Sequence, residues 1–454
     1  MTMSSVDWSE DAFFDTPDRD SLDGGTTSAG ALWHGISPRW GHSLHTMCSY
    51  HGMFPARVAH YFIQRYSQPG DLVLDPFSGR GTVPLQARVE GRRTVSNDLN
   101  PLAYALSRAK ATPPTWTAAD TFLRRIEAAY RRGEHTEPDV PEDIRMLYHP
   151  NTLRQIYHLR DYLLRKDLAH WCQEEFMIGG ALAGIMHGSH RRDGTSQYLS
   201  ISMPNTFSMS PAYVKKYIAE NQLIAPDQDV FECLRDKLAR LYLDAIDGPG
   251  GRAFMKDGPS LLMRGSVRPA SVDLIVTSPP YLQVVNYGTS NWIRLWLFGL
   301  DEVSRERGAG RRSLDADLDH RHTYNSYRDF LLRTLWGMRR VLKQDGVAVV
   351  IIGDVADPGK DPLPLAAHIW QDIGDQTGLR KLDLMEDHLQ VQNKVSRIWG
   401  ETKGQATKRD CALVLARKDG SPPVVPEVID WDESYKDGGP DAAHERLREM
   451  RFAS

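Results

Sequence analysis

Two short segments of the 454-residue chain carry residue types that suit ligand binding and chemistry, and each follows an apolar run. The first is DPFSGRGT (75–82), in which a carboxylate, Asp75, precedes a turn that contains Gly79 and Gly81. Glycine adopts backbone angles that other residues avoid, and it lets a ligand approach the main chain closely. Because Pro84 follows, the G-x-G-x-x-G dinucleotide fingerprint is incomplete. The turn therefore predicts a ligand that lacks a pyrophosphate.

A second carboxylate, Asp98, stands at the end of the next predicted strand, TVSND (94–98). The run DLVLD (71–75) predicts the preceding strand, and the segment between them predicts a helix, which gives a βαβ unit. Parallel strands bring their carboxyl ends to one edge of a sheet, where ligands bind. We therefore expect Asp75 and Asp98 to face one crevice, with Asp98 accepting hydrogen bonds from ribose hydroxyls.

The second chemical segment is TSPPY (277–281), which follows the apolar run VDLIV (272–276). Consecutive prolines prevent the strand from continuing and fix the direction of the backbone. The carbonyl groups of Ser278 and Pro279 can then accept hydrogen bonds from an exocyclic amine, and Tyr281 offers a flat face to a nucleobase. The pattern predicts a rigid, base-binding loop at the edge of the sheet.

Together with SNDLNP (96–101), these two segments resemble the cofactor and catalytic motifs of the S-adenosylmethionine-dependent DNA amino-methyltransferases, which methylate cytosine N4 or adenine N6. HGMFPA (51–56) resembles the N-terminal cofactor motif of that family, and DGVAVVIIGD (345–354) resembles its later core strand. The resemblance covers roughly residues 33–110 and 250–418. It implies an α/β fold: a doubly wound, mostly parallel sheet of the class I methyltransferase type.

The resemblance also implies roles for individual residues. S-adenosylmethionine is the implied cofactor, and its implied binding residues are Phe54, Asp75, Pro76, Phe77, Gly79, Gly81, Thr82, Asp98 and Asp257. Among these, the ones near the glycine turn cradle the methionine end, and Asp257 meets the adenine amine. The implied catalytic residues are Ser278, Pro279, Pro280 and Tyr281. No metal ligand is predicted.

The serine of the TSPPY loop bears on which base is methylated. Cytosine-N4 enzymes of the family typically have Ser-Pro-Pro-Tyr, whereas adenine-N6 enzymes more often have Asp or Asn at the position of Ser278. The resemblance thus favours site-specific methylation of cytosine N4 in double-stranded DNA, on a base flipped out of the duplex and stacked on Tyr281. Adenine-N6 methylation is the alternative. An RNA base methyltransferase and a non-catalytic cofactor- or DNA-binding subunit are further alternatives.

Residues 117–250 interrupt the alternation of strands and helices. Amphipathic helices are predicted within 121–132, 151–171 and 230–246, with a polar segment at 187–211. Connections in a compact α/β sheet are usually short, so we expect this mainly helical insertion to form its own lobe beside the cleft. It is the candidate target-recognition region.

The sheet resumes after the insertion, with predicted strands at RAFMKD (252–257) and GVAVVIIGD (346–354). A C-terminal antiparallel hairpin is predicted from LQVQNKV (389–395) and CALVLARK (411–418). The predicted cofactor-binding catalytic domain comprises residues 31–116 and 251–419.

Three polar segments are candidates for contact with DNA, because their side chains can meet phosphates and base edges. The first lies in the insertion and offers His187, His190, Arg191, Arg192 and Gln197. The second is the Gly/Arg segment 305–324, with Arg311 and Arg312. The third is the basic segment 397–409, with Lys403 and Lys408.

Composition limits the class of protein. Hydrophobic residues make up 41% and charged residues 25%, which is typical of a globular chain, and no apolar run is long enough for a membrane span. Four scattered cysteines indicate neither a disulfide framework nor a zinc site. We expect a bacterial or archaeal protein of the cytoplasm, associated with the nucleoid. It acts alone or with a cognate restriction endonuclease, and the sequence does not reveal its oligomeric state.

Charge is distributed unevenly along the chain. Residues 1–30 carry a net charge of −6 and residues 420–454 a net charge of −4, so the body between them carries +6 out of a total of −4. Both ends are rich in polar and small residues, which predicts flexible acidic tails at 1–30 and 420–454. The mildly basic body permits a polyanionic partner.

Overall fold

Short apolar runs form one eight-stranded sheet within the described part of the chain. In chain order the strands are β1 (Thr27–Ser28), β2 (Leu72–Asp75), β3 (Arg93–Asn97), β4 (Gly251–Phe254), β5 (Val272–Thr277), β6 (Leu342–Gly353), β7 (Leu379–His388) and β8 (Arg409–Arg417). The structure is a computed structural model that describes residues 27–28, 33, 35–37, 39–192, 196–204, 208–245, 248–282, 287–300, 323–354, 364–388, 409–421, 425–426 and 429–431.

The strand order across the sheet is β1-β7-β8-β6-β5-β2-β3-β4. Neighbours are parallel except at β8, which runs antiparallel to both β6 and β7. The direction in which strands are added reverses between β2 and β5, and such a switch point opens a crevice at the carboxyl ends of the strands. The predicted fold class, a doubly wound and mostly parallel α/β sheet with a C-terminal antiparallel pair, is confirmed.

Helices cover both faces of this sheet. Those outside the insertion are α1 (Ala56–Tyr66), α2 (Thr82–Val89), α3 (Pro101–Ala111), α10 (Gly258–Met263), α11 (Trp292–Leu297), α12 (Tyr324–Val341) and α13 (Leu365–Ile373). Those of the insertion are α4 (Trp116–Arg131), α5 (Glu142–Arg145), α6 (Pro150–Leu163), α7 (Gln173–Ile185), α8 (Pro211–Asn221) and α9 (Val230–Leu241). One apolar core lies under α10, α12 and α13, and a second lies under α1 and α2.

The insertion is mainly helical, but it does not have a core of its own. Its helices share one apolar core with α3, α11 and the segment around Met47. Helix α7 explains this, because residues 175–185 are buried on all sides and cannot face solvent. A Cβ atom on Gly184 would lie 1.9 Å from the Met47 carbonyl oxygen, so the two backbones are in close contact. The insertion therefore packs on the catalytic domain through a shared core, and the expectation of a lobe beside the cleft stays a prediction.

The ends of the predicted tails belong to the fold where they are described. Thr27 and Ser28 pair in parallel with Met385 and Glu386 of β7. Near the C-terminus, the Trp431 ring packs 5.4 Å from the ring of Trp40. The flexible acidic tails predicted at 1–30 and 420–454 therefore do not extend over these residues, and the rest of both tails lies outside the described residues.

The first strand of the predicted C-terminal hairpin also differs from the strand that the structure shows. The segment 389–395 lies outside the described residues, and the strand that pairs with β8 is β7, which ends at His388. In the described part of the chain, no helix is both long and apolar enough to cross a membrane.

Candidate functional site

The glycine turn after β2 is built from main-chain hydrogen bonds. The Ser78 amide donates to the Asn97 carbonyl at 2.8 Å, and the Gly81 amide donates to the Ser78 carbonyl at 2.7 Å. Gly79 and Gly81 have φ angles of +49° and +78°, in the left-handed region that favours glycine. A Cβ on Gly81 would lie 3.2 Å from the Cα of Ser107, so helix α3 closes over the turn. The turn thus has little room for any other residue at position 81.

Asp98 joins this turn to the loop after β3. Its Oδ2 accepts from the Gly79 amide at 2.8 Å, and its Oδ1 accepts from the Asn100 amide at 2.9 Å. Burial raises the pKa of Asp98 to about 6, although these amide donors oppose the shift. Each carboxylate oxygen has a second lone pair, so Asp98 can still accept hydrogen bonds from a ligand.

Asp75 connects the glycine turn to the TSPPY loop. Its Oδ1 accepts from the Thr277 hydroxyl at 2.6 Å and from the Phe77 amide at 3.1 Å. The side chain is buried, and this burial raises its pKa to about 7. No cation among the described residues forms an ion pair with Asp75, so its charge is available to a cationic ligand. The two motifs therefore meet at the switch point between β2 and β5.

Asn97 holds the third strand end in place, and the sequence analysis did not single it out. Its Nδ2 donates to the carbonyls of Pro76 at 3.0 Å and Lys256 at 2.9 Å, while its Oδ1 accepts from the Lys256 amide at 3.0 Å. A Cβ on Gly258 would lie 2.4 Å from the Phe77 ring, so the loop after β4 packs directly on the glycine turn. These contacts set the position of Asp257.

The TSPPY loop is held by residues far away in the chain. The Tyr327 hydroxyl of α12 donates to the Pro280 carbonyl at 2.9 Å. The Tyr281 hydroxyl is hydrogen-bonded to the side chains of Ser278 and Asp410, and burial raises the pKa of Tyr281 well above its usual value. Asp410 lies at the start of β8, opposite Gly353 at the end of β6.

An ion-pair cluster fixes the strand ends beside this loop. Arg409 contacts Asp354 at 2.7 Å and Glu386 at 2.9 Å, and these residues lie at the ends of β8, β6 and β7. Burial raises the pKa of Asp354 to about 6 despite the neighbouring guanidinium. The cluster holds β8 in register next to Asp410.

These loops surround a cleft of about 810 Å³, a volume that includes space open to solvent. Among the predicted residues, those that line it are Phe54, Asp75, Phe77, Gly79, Thr82, Asp98, Asp257, Ser278 and Pro280. Four others lie beside it without lining it: Pro76, Gly81, Pro279 and Tyr281. The lining residues that the sequence analysis missed are Tyr50, His51, Gly52, Met53, Ser78, Arg80, Leu99, Asn100, Lys256, Gly258, Tyr287 and Phe330.

Two of the missed residues form the aromatic side of the cleft. The rings of Tyr50 and Tyr287 are stacked with centroids 6.0 Å apart. The Tyr50 hydroxyl accepts from the Asn100 Nδ2 at 3.0 Å. Tyr50 stands directly before the HGMFPA motif and Asn100 directly before a helix-starting proline, and these positions are the signals in the sequence that could have found them.

The wall behind the glycine turn is cationic. Arg80 donates to the Thr82 hydroxyl at 3.2 Å and to the His45 carbonyl at 2.9 Å, and burial lowers its pKa to about 10. Lys110 is buried beside it and donates to the Arg80 carbonyl. None of the described carboxylates lies within ion-pair distance of Arg80. The cleft therefore has an unneutralised cation near its buried carboxylate.

The DNA-contact candidates of the insertion occupy different environments. Arg191 and Arg192 are exposed, and the His190 Nε2 donates to the Ser200 carbonyl at 2.8 Å. His187 is fully buried, and its Nδ1 donates to the Pro204 carbonyl at 2.7 Å. The expectation that His187 contacts DNA is therefore wrong, because its ring has no path to solvent. Gln197 is exposed as well, and the candidates of the other two segments lie outside the described residues: Arg311, Arg312, Lys403 and Lys408.

Several known proteins are similar to parts of this chain. It is 30% identical over 67 residues to the type II methyltransferase M.MjaII of Methanocaldococcus jannaschii, which covers 15% of this chain and 13% of that protein. A proposed DNA modification methylase from Thermus thermophilus, solved with S-adenosyl-L-methionine, is 20% identical over 38% of this chain and 54% of its own, with a TM-score of 0.22. The rRNA methyltransferase aviRa from Streptomyces viridochromogenes is 12% identical over 86% of this chain and 96% of its own, with a TM-score of 0.29.

The chain thus spans about an eighth of the length of the curated relative and about half of the Thermus protein. A family model described as DNA methylase, which covers N6 and N4 methyltransferases, matches residues 11–108 and 272–410. The matched residues include both chemical motifs and make up just over half of the chain. The protein is therefore a member of this DNA methylase family, whose methyl donor is S-adenosylmethionine.

Proposed function

We propose that the protein transfers the methyl group of S-adenosylmethionine to the exocyclic N4 of a flipped-out cytosine at a specific site in double-stranded DNA. The observation that carries the proposal is the 2.6 Å hydrogen bond between Thr277 and Asp75. It joins the loop that bears Ser278 to the glycine turn, so that both line one cleft. The serine itself favours cytosine over adenine through the resemblance to enzymes with a Ser-Pro-Pro-Tyr loop.

The residues of the cleft fit the cofactor. A buried carboxylate with no cationic partner among the described residues is suited to the positive charge of the methionine end, so we assign Asp75 to it. The guanidinium of Arg80 is the complementary group for the cofactor carboxylate, because Arg forms strong charge-assisted hydrogen bonds with carboxylates. The left-handed backbone at Gly79 keeps this side of the cleft free of a side chain.

Asp98 and Asp257 are suited to bind the nucleoside part of the cofactor. Asp98 can still accept from a ribose hydroxyl, because a carboxylate has about four acceptor sites and the main-chain amides of Gly79, Leu99 and Asn100 occupy three. Asp257 caps helix α10 through its Oδ2, which accepts from the Ser260 amide at 3.0 Å. The Asp257 side chain is otherwise exposed in the cleft, so its second oxygen can accept from the adenine amine.

The TSPPY loop then acts on the base. When bound, S-adenosylmethionine supplies an electrophilic methyl group. The amine lone pair of cytosine is delocalised into the ring, and hydrogen bonds to Ser278 and the Pro279 carbonyl would localise it on N4. The hydrogen bond from Tyr327 to the Pro280 carbonyl holds the loop that carries these two acceptors. Positioning and electrostatics provide the acceleration without a covalent intermediate, and proton loss follows methyl transfer.

The proposal is tested by incubating the protein with DNA and S-adenosylmethionine and identifying the modified nucleoside by mass spectrometry after digestion. We expect N4-methylcytosine, and no product from the Gly79→Leu variant, which fills the cleft. N6-methyladenine would overturn the cytosine assignment and retain DNA methylation. Modification of RNA but not DNA, or cofactor binding with no product on either, would overturn the proposed reaction.

Sequencing the methylated positions in DNA from cells that express the chain would define the recognition site. We propose a restriction endonuclease of the same specificity as partner and the nucleoid as the place of action. Protection of the modified DNA from such an endonuclease is the expected result, and a methylation pattern without a consensus sequence would contradict site specificity.

A further inference from the structure

Helix α8 of the insertion (Pro211–Asn221) is exposed to an unusual degree. Val214 is the only buried residue of its eleven, whereas every residue of α7 from position 175 to 185 is buried. The Tyr213 side chain is 42% exposed, and Lys215 and Lys216 are exposed as well. Such a helix contributes little to the core, so its outer face is available for a partner.

Hydrogen bonds attach the start of α8 to the segment that follows the TSPPY loop. The Ser208 amide donates to the Ser290 carbonyl at 2.6 Å, and the Trp292 indole donates to the Met209 carbonyl at 2.7 Å. The Asn291 Nδ2 in turn donates to the carbonyl of Tyr287, which lines the cleft. The start of helix α8 is therefore connected, through residues 287–292, to a side chain that lines the cleft. The eleven residues of the helix extend about 16 Å.

The buried His187 contacts residues that precede α8, and it stands four positions before a second cationic segment. Its Nδ1 donates to the Pro204 carbonyl, and its Nε2 lies 3.4 Å from the Ser208 hydroxyl. The exposed Arg191 and Arg192 follow a few residues later in the chain. The ring of His187 thus joins the arginine segment to the residues that lead into α8.

The chemistry of the exposed face fits nucleic acid. The Tyr213 and Tyr217 rings are stacked, with centroids 6.1 Å apart and planes at 15°, which makes a flat aromatic surface. Lys215 lies between them in the sequence, and the only acid of the helix, Glu220 in the last turn, pairs with Lys216 at 3.5 Å. Exposed aromatic rings on a helix that also carries exposed cations suit nucleic acid, whereas a protein interface is depleted in lysine.

We propose that α8 is a DNA-contact helix, in which Lys215 and Lys216 neutralise phosphates beside the flipped base and Tyr213 packs against the adjoining sugar or base. A duplex that delivers a base to the cleft must lie against surfaces near it, and α8 is connected to a lining residue of the cleft through residues 287–292. This inference rests on the proposed function. It adds a DNA contact on helix α8 to the contact predicted for the polar segment 187–197.

The test measures DNA affinity across a salt series for the full-length wild type, Lys215→Glu/Lys216→Glu and Tyr213→Ala. Each lost phosphate contact should lower the slope of log affinity against log salt by about one unit, and the double variant should bind at least about ten-fold more weakly at moderate salt. Loss of the tyrosine ring should weaken binding by about five-fold or more, with a smaller change in slope. Calorimetric affinity for S-adenosylmethionine should be unchanged in all three proteins.

The matched control is Arg124→Glu/Arg132→Glu, which makes the same change in net charge on exposed cations in or beside helix α4. If both double variants lower the affinity equally, the effect is one of overall charge and the proposal is overturned. It is also overturned if Tyr213→Ala leaves DNA binding intact but changes the molecular mass in solution, since α8 would then be a protein interface. If the wild type itself neither binds nor methylates DNA, the proposed function is overturned, and with it the DNA contact on α8.

Discussion

The two loops that form the cleft occupy the same edge of the sheet, yet they are held in different ways. The main-chain hydrogen bonds of the glycine turn after β2 come from neighbours close in sequence, since Asn97 and Asp98 lie within about thirty residues of it, as does Ser107, which packs on it. The TSPPY loop after β5 depends on Tyr327, 47 residues beyond Pro280, and on Asp410. Cofactor binding should therefore respond to local changes in the first loop, and methyl transfer to distant changes that act on the second.

The largest effect is expected for Gly79→Leu. A leucine side chain would enter the cleft, so we expect at least about a hundred-fold loss of affinity for S-adenosylmethionine by calorimetry. Gly79→Ala is the control, because its Cβ would meet the Tyr50 ring at 3.6 Å, an ordinary contact. It should cost about 1 kcal/mol of stability through its left-handed backbone and retain cofactor binding within a few-fold. If the leucine variant bound S-adenosylmethionine with wild-type affinity, the assignment of the cofactor to this turn would be wrong.

Asp75→Asn should weaken cofactor binding in a pH-dependent way. The wild-type carboxylate has a pKa of about 7 in the unliganded protein, so its affinity for a cationic ligand should fall as the pH decreases through 7. The amide does not titrate, so the variant should bind about ten-fold or more weakly at pH 8 and show a flatter profile. A parallel pH profile in both proteins would mean that another group binds the charge.

Asp75→Asn is expected to weaken cofactor binding but to increase the stability of the unliganded protein. Because burial raises the pKa of Asp75 above its unfolded value, charging it opposes folding as the pH rises through about 7. Without cofactor, Asp75→Asn should therefore unfold at a higher temperature than the wild type at pH 8, with the difference shrinking toward pH 4. A lower melting temperature at pH 8 would show that the Thr277 hydrogen bond outweighs the burial of charge.

Tyr281→Ala tests the second loop and should reduce methyl transfer far more than cofactor affinity. The structure adds a second variant, Tyr281→Phe, because the hydroxyl contacts Ser278 and Asp410 while the ring is the expected surface for the base. If the ring stacks on the base, phenylalanine should retain most of the turnover. Equal losses in both variants would assign the role to the hydroxyl, and unchanged turnover in both would mean that the tyrosine only packs.

The smallest effect is expected for Tyr327→Phe, which removes one hydrogen bond to the Pro280 carbonyl. Such a bond contributes about 1 kcal/mol, so turnover should fall a few-fold while calorimetric cofactor affinity stays the same. Tyr324→Phe on the same helix is the control, since its hydroxyl contacts the exposed Asp372 at 2.6 Å. Equal effects of both changes would show that α12 does not position the loop.

The sequence by itself was sufficient for the fold class and for the location of both chemical loops. Strand-ending acids, paired glycines and consecutive prolines act on the backbone of their own neighbours, so their spacing predicts local structure directly. The helices α4, α6 and α9 were likewise predicted from their apolar periodicity. Helix α7 was missed because a helix buried on every side has no such periodicity.

The tertiary structure decided which of these residues face the cleft and which support it. Pro279 and Tyr281 belong to the motif but are not among the residues that line the cleft, whereas Tyr50 and Tyr287 enter it from outside the predicted motifs. Arg80 lines it from a motif position to which the resemblance gave no role. It also decided that the insertion shares a core with α3 rather than standing apart. Contacts of this kind join residues fifty to more than two hundred positions apart, such as Tyr50 with Asn100 and with Tyr287. They depend on the path of the whole chain, which local spacing does not encode.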